Sequence, residues 1–254
     1  MKSIEKKILL AINKEQFSDY RIIATSLNIK EKVVLESIEN LKYKYTISVK
    51  KKNLFRIHPK IILLSKKKSF GMLNDADFFL MDTVDSTNHF LFERQLKKEY
   101  LLCLAEHQSH GVGTFNRSWF SPYGLNIYLS LKTSIPIGLS REILPFRIVL
   151  LNLIKSSLQK KFPSVVIQIK LPNDIYINNK KLCGLLIHAR AFDKNLELIF
   201  GLGINVNMTF AELKNSWTSI SMETGKNHDR NIIVSILLER IVGYLEKVKK
   251  GKLI

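Results

Sequence analysis

Between Phe78 and Leu202 the chain carries seven strand-like runs and only two helix-like ones. This ratio constrains the fold most. The strand-like runs are Phe78–Met81, Leu101–Glu106, Ile127–Lys132, Val165–Lys170, Asp174–Ile177, Lys181–Ala189 and Leu196–Leu202. Helical spacing of apolar residues is found at Ser86–Lys98 and Arg141–Phe162, and again at Asn231–Lys249 beyond the last strand. Many strands with few helices predict an α+β domain built on a sheet. With 46% hydrophobic residues there is enough apolar side chain for a sizeable core, which excludes a disordered chain. The longest apolar stretch, Leu144–Ile154, is broken by Arg147 and Asn152, so no membrane-spanning helix is expected. The first residues have too short an apolar segment, and no small-residue cleavage site, for a signal peptide. Cys103 and Cys183 lack metal-ligand spacing and cannot make a disulfide scaffold. A soluble, cytoplasmic protein is expected.

Charge divides the chain. Residues 1–68 hold 17 Lys+Arg against 6 Asp+Glu, whereas residues 69–254 hold 23 against 16. A strongly basic leading segment points to an anionic partner, nucleic acid or phosphates. Its pattern is helical at Ile4, Ile8, Leu9 and Ile12. A second helix, capped by Ser18, runs to Leu27, and a third covers Lys30–Tyr43. Thr46–Val49 and Leu54–Ile57 then read as two strands around the tip Lys50-Lys51-Lys52-Asn53. Three helices and a basic hairpin are the layout of a winged helix-turn-helix, expected over residues 1–65. Lys30, Lys32, Lys50, Lys51 and Lys52 are the candidate DNA contacts. Against this, the third helix offers Glu31, Glu36 and Glu39, which a phosphate backbone repels. Residues His58–Leu73 read as a connector.

Four segments of the body carry candidate chemistry. Asp85-Ser86-Thr87-Asn88 is a helix N-cap signature and also a cluster of small polar groups able to bind a planar polar ligand. Residues 106–122 run from a strand into a loop containing Gly111, Gly113, Arg117 and Trp119. Glycines there allow close backbone approach to a phosphate, and an arginine can pair with it, although a GxG alone is a weak signal. Lys170-Leu171-Pro172-Asn173-Asp174 makes a strand end and a turn. Lys181 then follows a hairpin tip, at the point where Leu182–Ile187 enters the core. An exposed hairpin lysine is the plainer reading of Lys181. Glycines in Gly201-Leu202-Gly203-Ile204-Asn205 suggest close approach of backbone or ligand to a strand.

In this order the segments resemble the biotin protein ligases. The resemblance is carried by DSTN at 85–88, AEHQ…G.G…R.WFSP.G.N.YLSL at 105–131, K.PND at 170–174, KL.G at 181–184 and GLGINVN at 201–207. It covers nearly the whole chain, and the leading module matches the bifunctional members that also act as biotin operon repressors. It implies a biotin/lipoate-ligase-like mixed β-sheet catalytic domain with flanking helices over residues 66–254. It also implies a reaction in two steps. Biotin and Mg-ATP give biotinyl-5′-AMP and pyrophosphate, and the adenylate then acylates a lysine of a biotin carboxyl carrier protein. By matched position, Ser86, Thr87, Asn88, Gln108, Gly113, Lys181, Gly184 and Gly203 would bind biotin. Arg117, Trp119, Lys170, Asn173, Asp174 and Asn205 would serve the nucleotide. Lys181 and Arg117 would be catalytic, and Asp174 would meet Mg2+ carried by ATP. Implied partners are the carrier protein, operator DNA and a second copy in a homodimer, with no membrane.

The chain departs from the family pattern in its loop, usually G-R-G-R/K-x-G-R-x-W. Val112 and Thr114 replace basic residues, Asn116 replaces glycine, and Leu171 stands where tryptophan is usual. Charge-assisted bonds to phosphate are worth about 1.5–3 kcal/mol each, so the loop should retain its ligand less well. Many members continue into a small C-terminal β-barrel, and the resemblance here lacks it. Two alternatives follow. One is a catalytically weak homologue acting as a biotin-sensing DNA-binding regulator. The other is a lipoate-type ligase on the related fold.

Overall fold

The computed structural model describes residues 2–251 except 51, 52, 59, 71, 72, 74, 139–142, 214 and 215. The leading segment forms α1 (Ser3–Lys14), β1 (Ser18–Asp19), α2 (Tyr20–Leu27), α3 (Glu31–Lys42), β2 (Thr46–Lys50) and β3 (Leu54–His58). Apolar periodicity buries Ile8, Leu9 and Ile12 of α1 against Val34, Ile38 and Leu41 of α3, with Ile23 and Ala24 of α2 closing the cluster. Asp19, not Ser18, caps α2, through a 2.8 Å bond from the Arg21 amide. Ser18 instead lies in β1, and its hydroxyl donates to the Ala11 carbonyl. The two-residue β1 lies beside β3, giving a three-stranded sheet ordered β1-β3-β2.

The body contains α4 (Lys66–Phe70), β4 (Ala76–Met81), α5 (Thr87–Phe92), β5 (Tyr100–Ala105) and β6 (Ile127–Pro136). It continues with α6 (Ile143–Lys161), β7 (Ile167–Lys170), β8 (Asp174–Ile177), β9 (Lys180–Phe192), β10 (Asn195–Ile204), α7 (Ile220–Thr224) and α8 (Arg230–Lys249). Its seven strands form one mixed sheet ordered β4-β5-β6-β10-β9-β8-β7. Only β4 and β5 run parallel, joined by a crossover that contains α5. Alternation along the central strands sends Leu129, Leu131, Leu198 and Leu202 into the main core, beneath α6 and α8. Gly201, Gly203, Tyr128 and Ser130 face the opposite side, where the cleft lies.

Helix α5 stops at Phe92 rather than Lys98. Beyond Phe92 the only apolar side chain before Tyr100 is Leu96. The Arg94 guanidinium folds back onto Phe90, with its carbon 3.4 Å from the ring centroid. Helix α4 falls inside the stretch that reads as a connector; its three consecutive lysines hide the buried Ser69 and Phe70. The connector before it is anchored. Buried Arg230 pairs with Glu106 at 2.7 Å and donates to the carbonyls of Ile62 and Asn126, while Glu106 accepts from the Leu64 amide. A buried cation of this kind requires both its counter-charge and its acceptors.

The leading module and the body share apolar contacts. Tyr123, Leu125 and Met208 of the body sit in the same buried cluster as α1–α3. The Tyr45 hydroxyl donates to the Tyr123 carbonyl at 3.0 Å, and the Lys6 ammonium pairs with Asp82. Gly124 has φ +76°, and a Cβ there would lie 2.6 Å from Ile61 of the connector. Only glycine allows that close pass. Among the described residues no helix is long and apolar enough to cross a membrane.

Candidate functional site

A cleft opens on the face of the sheet away from α6 and α8. Its parts follow one another in a line that the strand register sets. At one end the first turn of α5 meets β6 and β10. The Ser86 hydroxyl caps this helix, and both Ser86 and Thr87 are buried. The Thr87 amide and hydroxyl donate to Gln108 Oε1 at 2.9 and 3.1 Å, and the same hydroxyl shares a 2.9 Å bond with Ser130. Gln108 Nε2 donates to Ser121, whose hydroxyl donates to the Trp119 carbonyl. The Asn88 amide nitrogen lies over Gly201, 3.0 Å from where a Cβ would stand, and is buried without a hydrogen-bond partner. An unpaired buried donor at a cleft wall is a ready contact for a ligand acceptor. The Asp85 carboxylate turns outward to the His89 ring and is held below the usual carboxylate range, chiefly by that bond.

In the middle, Gly203 of β10 pairs directly with Gly184 of β9. Two facing glycines leave a bare strip of backbone, and the Trp119 indole lies on it. A Cβ on Gly203 would fall 2.4 Å from the indole Cε2, and one on Gly184 3.0 Å from Cζ3. Indole Nε1 is buried and unpaired. At the far end the Lys181 ammonium pairs with Asp174 at 2.8 Å and stands 5.4 Å from the indole centroid. Asp174 lies opposite Gly184 across β8 and β9, so the pairing of short strands brings the charges to the glycine strip. The Asn173 amide donates to the Thr114 hydroxyl, tying this end to the glycine loop, where Val112, Gly113 and Thr114 complete the wall.

Eleven residues singled out from sequence therefore line one cleft: Ser86, Thr87, Asn88, Gln108, Gly113, Trp119, Asn173, Asp174, Lys181, Gly184 and Gly203. Three others do not line it. Arg117 is exposed, its guanidinium carbon 6.0 Å from the Phe115 ring. Lys170 is exposed over Tyr176, because its strand ends with the side chain outward. Asn205 is buried, its amide donating to the carbonyls of Lys181 and Thr218, so it fastens the segment that presents Lys181. Lys30, Lys32 and Lys50 are exposed on the leading module, and Lys51 and Lys52 lie outside the described residues. Sequence reasoning missed Ser130 and Ser121, whereas Gly201, read from the sequence as a point of close approach of backbone or ligand, does line the cleft. Ser130 had one signal, as the polar side chain in the otherwise apolar strand Ile127–Leu131. Among the described residues no group of three or more His, Cys, Asp or Glu side chains could hold a metal. Asp174 is the carboxylate lining the cleft.

Residues 80–205 match the biotin/lipoate A/B protein ligase family. The bifunctional ligase/repressor BirA of Escherichia coli (strain K12) is 30% identical over 198 residues, which are 73% of this chain and 59% of that protein. The chain thus spans less than two thirds of that relative's length. The protein of the same name from Bacillus subtilis (strain 168) is 29% identical over 254 residues, 94% of this chain and 78% of the relative. Among solved structures, a biotin protein ligase from Aquifex aeolicus in complex with biotin and ATP superposes with a TM-score of 0.58 at 28% identity. The match covers 70% of this chain and 73% of that one. Residues 80–205 thus carry a domain of the biotin/lipoate A/B protein ligase family.

Proposed function

We propose that the chain is an ATP-dependent biotin protein ligase with an N-terminal winged helix-turn-helix that binds DNA. The carrying observation is the order of groups along the cleft. Hydrogen-bonding side chains at Thr87, Asn88 and Gln108 come first, then a bare glycine strip under an indole, then an ammonium. A ureido ring, an unbranched aliphatic chain and a carboxylate follow in the same order along biotin. Donors and acceptors at the first end suit a ureido group better than the dithiolane of lipoate, which ranks the lipoate-type reading below this one.

In the mechanism that follows, Lys181 offsets the repulsion between the biotin carboxylate and the α-phosphate of ATP. The carboxylate oxygen bonds to the α-phosphorus and pyrophosphate leaves. In the second step the neutral ε-amine of a carrier lysine attacks the acyl carbon, AMP leaves, and the amine loses a proton. Mg2+ enters as part of the nucleotide substrate, since one carboxylate with phosphate oxygens and waters suits it. Asp174, the carboxylate lining the cleft, would hold it. Arg117 and Lys170 reach the phosphates only if their side chains turn from where they now lie. We place the division between the modules near residue 65 and the working compartment in the cytoplasm. The chain's partners are then a biotin carboxyl carrier protein, a second copy of itself and operator DNA. The 94% coverage by a protein named as ligase and repressor supports the two-part reading.

A second reading has its own observation. Among the described residues lining the cleft, Lys181 is the only cation, with Val112 and Thr114 in the loop. A biotin sensor with little catalysis would need no more. Calorimetry with biotin, then with biotin and Mg-ATP, decides between them when pyrophosphate and biotinyl-5′-AMP are followed by assay and mass spectrometry. We expect tight binding and adenylate formation. Binding without adenylate would establish the sensor, and absence of binding would overturn both.

A further inference from the structure

The leading module separates its charges in space. From Lys44 to His58 the sequence holds Lys44, Lys50, Lys51, Lys52 and Arg56 and no Asp or Glu. This is the β2–β3 hairpin. Strand β2 is the open edge of its sheet, and Ser48, Val49 and Lys50 are exposed along it. The Lys50 ammonium and the Arg56 guanidinium share one aromatic ring, Phe17, at 5.5 and 5.9 Å from its centroid. Among the described residues neither cation pairs with a carboxylate. Both stay available to an outside anion.

Helix α3 is different. Its exposed face presents Glu31, Lys32, Leu35, Glu36 and Glu39. Lys32 lies 3.8 Å from Glu36, and Lys42 lies 2.6 Å from Glu39, so both lysines have partners on their own helix and Glu31 is left over. Ile22 of α2 is 70% exposed. A phosphate backbone carries one negative charge per about 1.7 Å of duplex and repels such a surface.

Resting on the reading of this module as DNA-binding, we propose that its contact with duplex DNA runs through the β2–β3 hairpin and not through α3. Lys50 and Arg56 bind backbone phosphates. The helix face stays out of the major groove. Phosphate contacts position a protein and carry little sequence information, so binding through this surface discriminates weakly between sequences.

The test is fluorescence anisotropy of the full chain on a labelled mixed-sequence duplex over a range of salt. Lys50→Ala and Arg56→Ala should each weaken binding several-fold and lower the slope of log K against log salt by about one. Glu36→Gln and Glu39→Gln should leave affinity within about twofold, because a surface outside the groove adds no phosphate contact. Lys247→Ala, on the distant α8, controls for bulk charge. Lys50, Glu36, Glu39 and Lys247 are exposed, so folding is not at stake there; Arg56 is half-buried, and a melting curve checks that Arg56→Ala is folded. Hairpin variants that bind like wild type, an equal loss in Lys247→Ala, or a larger effect from the α3 variants would overturn the hairpin assignment alone. A wild-type chain that binds no duplex at low salt, or that prefers phosphatidylserine vesicles, would remove the DNA-binding reading and this inference with it.

Discussion

At the residue scale the cleft depends on what two side chains lack. Gly184 and Gly203 face each other across β9 and β10, and Trp119 covers them because no Cβ stands in the way. Gly203→Ala places a methyl group where the indole now lies. Biotin affinity should fall by at least about tenfold, equivalent to about 1.4 kcal/mol. The thermal midpoint should move little, since the displaced side chain borders a cleft and not the core. Calorimetry and a melting curve on the same sample check both halves. A second residue-scale prediction concerns His107, next in sequence to Gln108. Burial lowers its pKa to about 4, and its Nδ1 has no hydrogen-bond partner. The folded protein therefore prefers neutral imidazole. Its contribution is fully present above the ordinary histidine value near 6.5 and is lost as pH falls toward 4. Urea denaturation at pH 7, 5.5 and 4.5 should show His107→Gln losing less stability on acidification than wild type. Parallel losses in both proteins would rule this out.

At the element scale, α8 is the strut between body and connector. Asp229 caps it, accepting from the Asn231 amide at 2.9 Å and from the Asn231 side chain at 2.7 Å. Asn231 in turn accepts from the Ser65 amide and the Ser69 hydroxyl, fixing the approach to α4. Asp229→Ala should cost about 1–2 kcal/mol, by loss of the cap and of the side chain that orients Asn231. Chemical denaturation measures it. A change below about 0.3 kcal/mol would mean that the cap contributes nothing to holding the connector. Element positions are also where sequence reading did well. The seven strands predicted between Phe78 and Leu202 match β4–β10 within a few residues, because period-two alternation and turn residues are local signals. Misses were short or unusual elements. Lys66–Phe70 has a charged sequence, Ile220–Thr224 is five residues long, and α5 loses its apolar face after Phe92.

At the scale of the whole molecule, the leading module and the body are joined by side chains and not by the chain alone. Tyr123, Leu125 and Met208 complete the cluster that α1–α3 begin, and Tyr45 bonds across to Tyr123. Independent unfolding of the two parts would expose these apolar side chains to water. Calorimetric melting should therefore give one cooperative transition, and Tyr45→Phe should lower its midpoint without splitting it. Two resolved transitions in the wild type would show that the shared cluster does not couple them.

The sequence by itself determined the α+β class, the strands, and the short polar and glycine motifs that the family shares. Each is written in consecutive residues, through side-chain period, capping or backbone freedom. It also determined eleven of the residues that meet in the cleft, by resemblance in four separated segments. It did not determine that Arg117 and Lys170 point away, or that the Asn205 amide is engaged by backbone carbonyls. Nor did it mark Ser130 as a cleft residue. Those outcomes depend on which strands pair and in which register. Gly201 faces Ser130, Gly203 faces Gly184, and Gly184 faces Asp174. Residues far apart in the chain become neighbours only through cross-strand hydrogen bonds, and no local pattern encodes them.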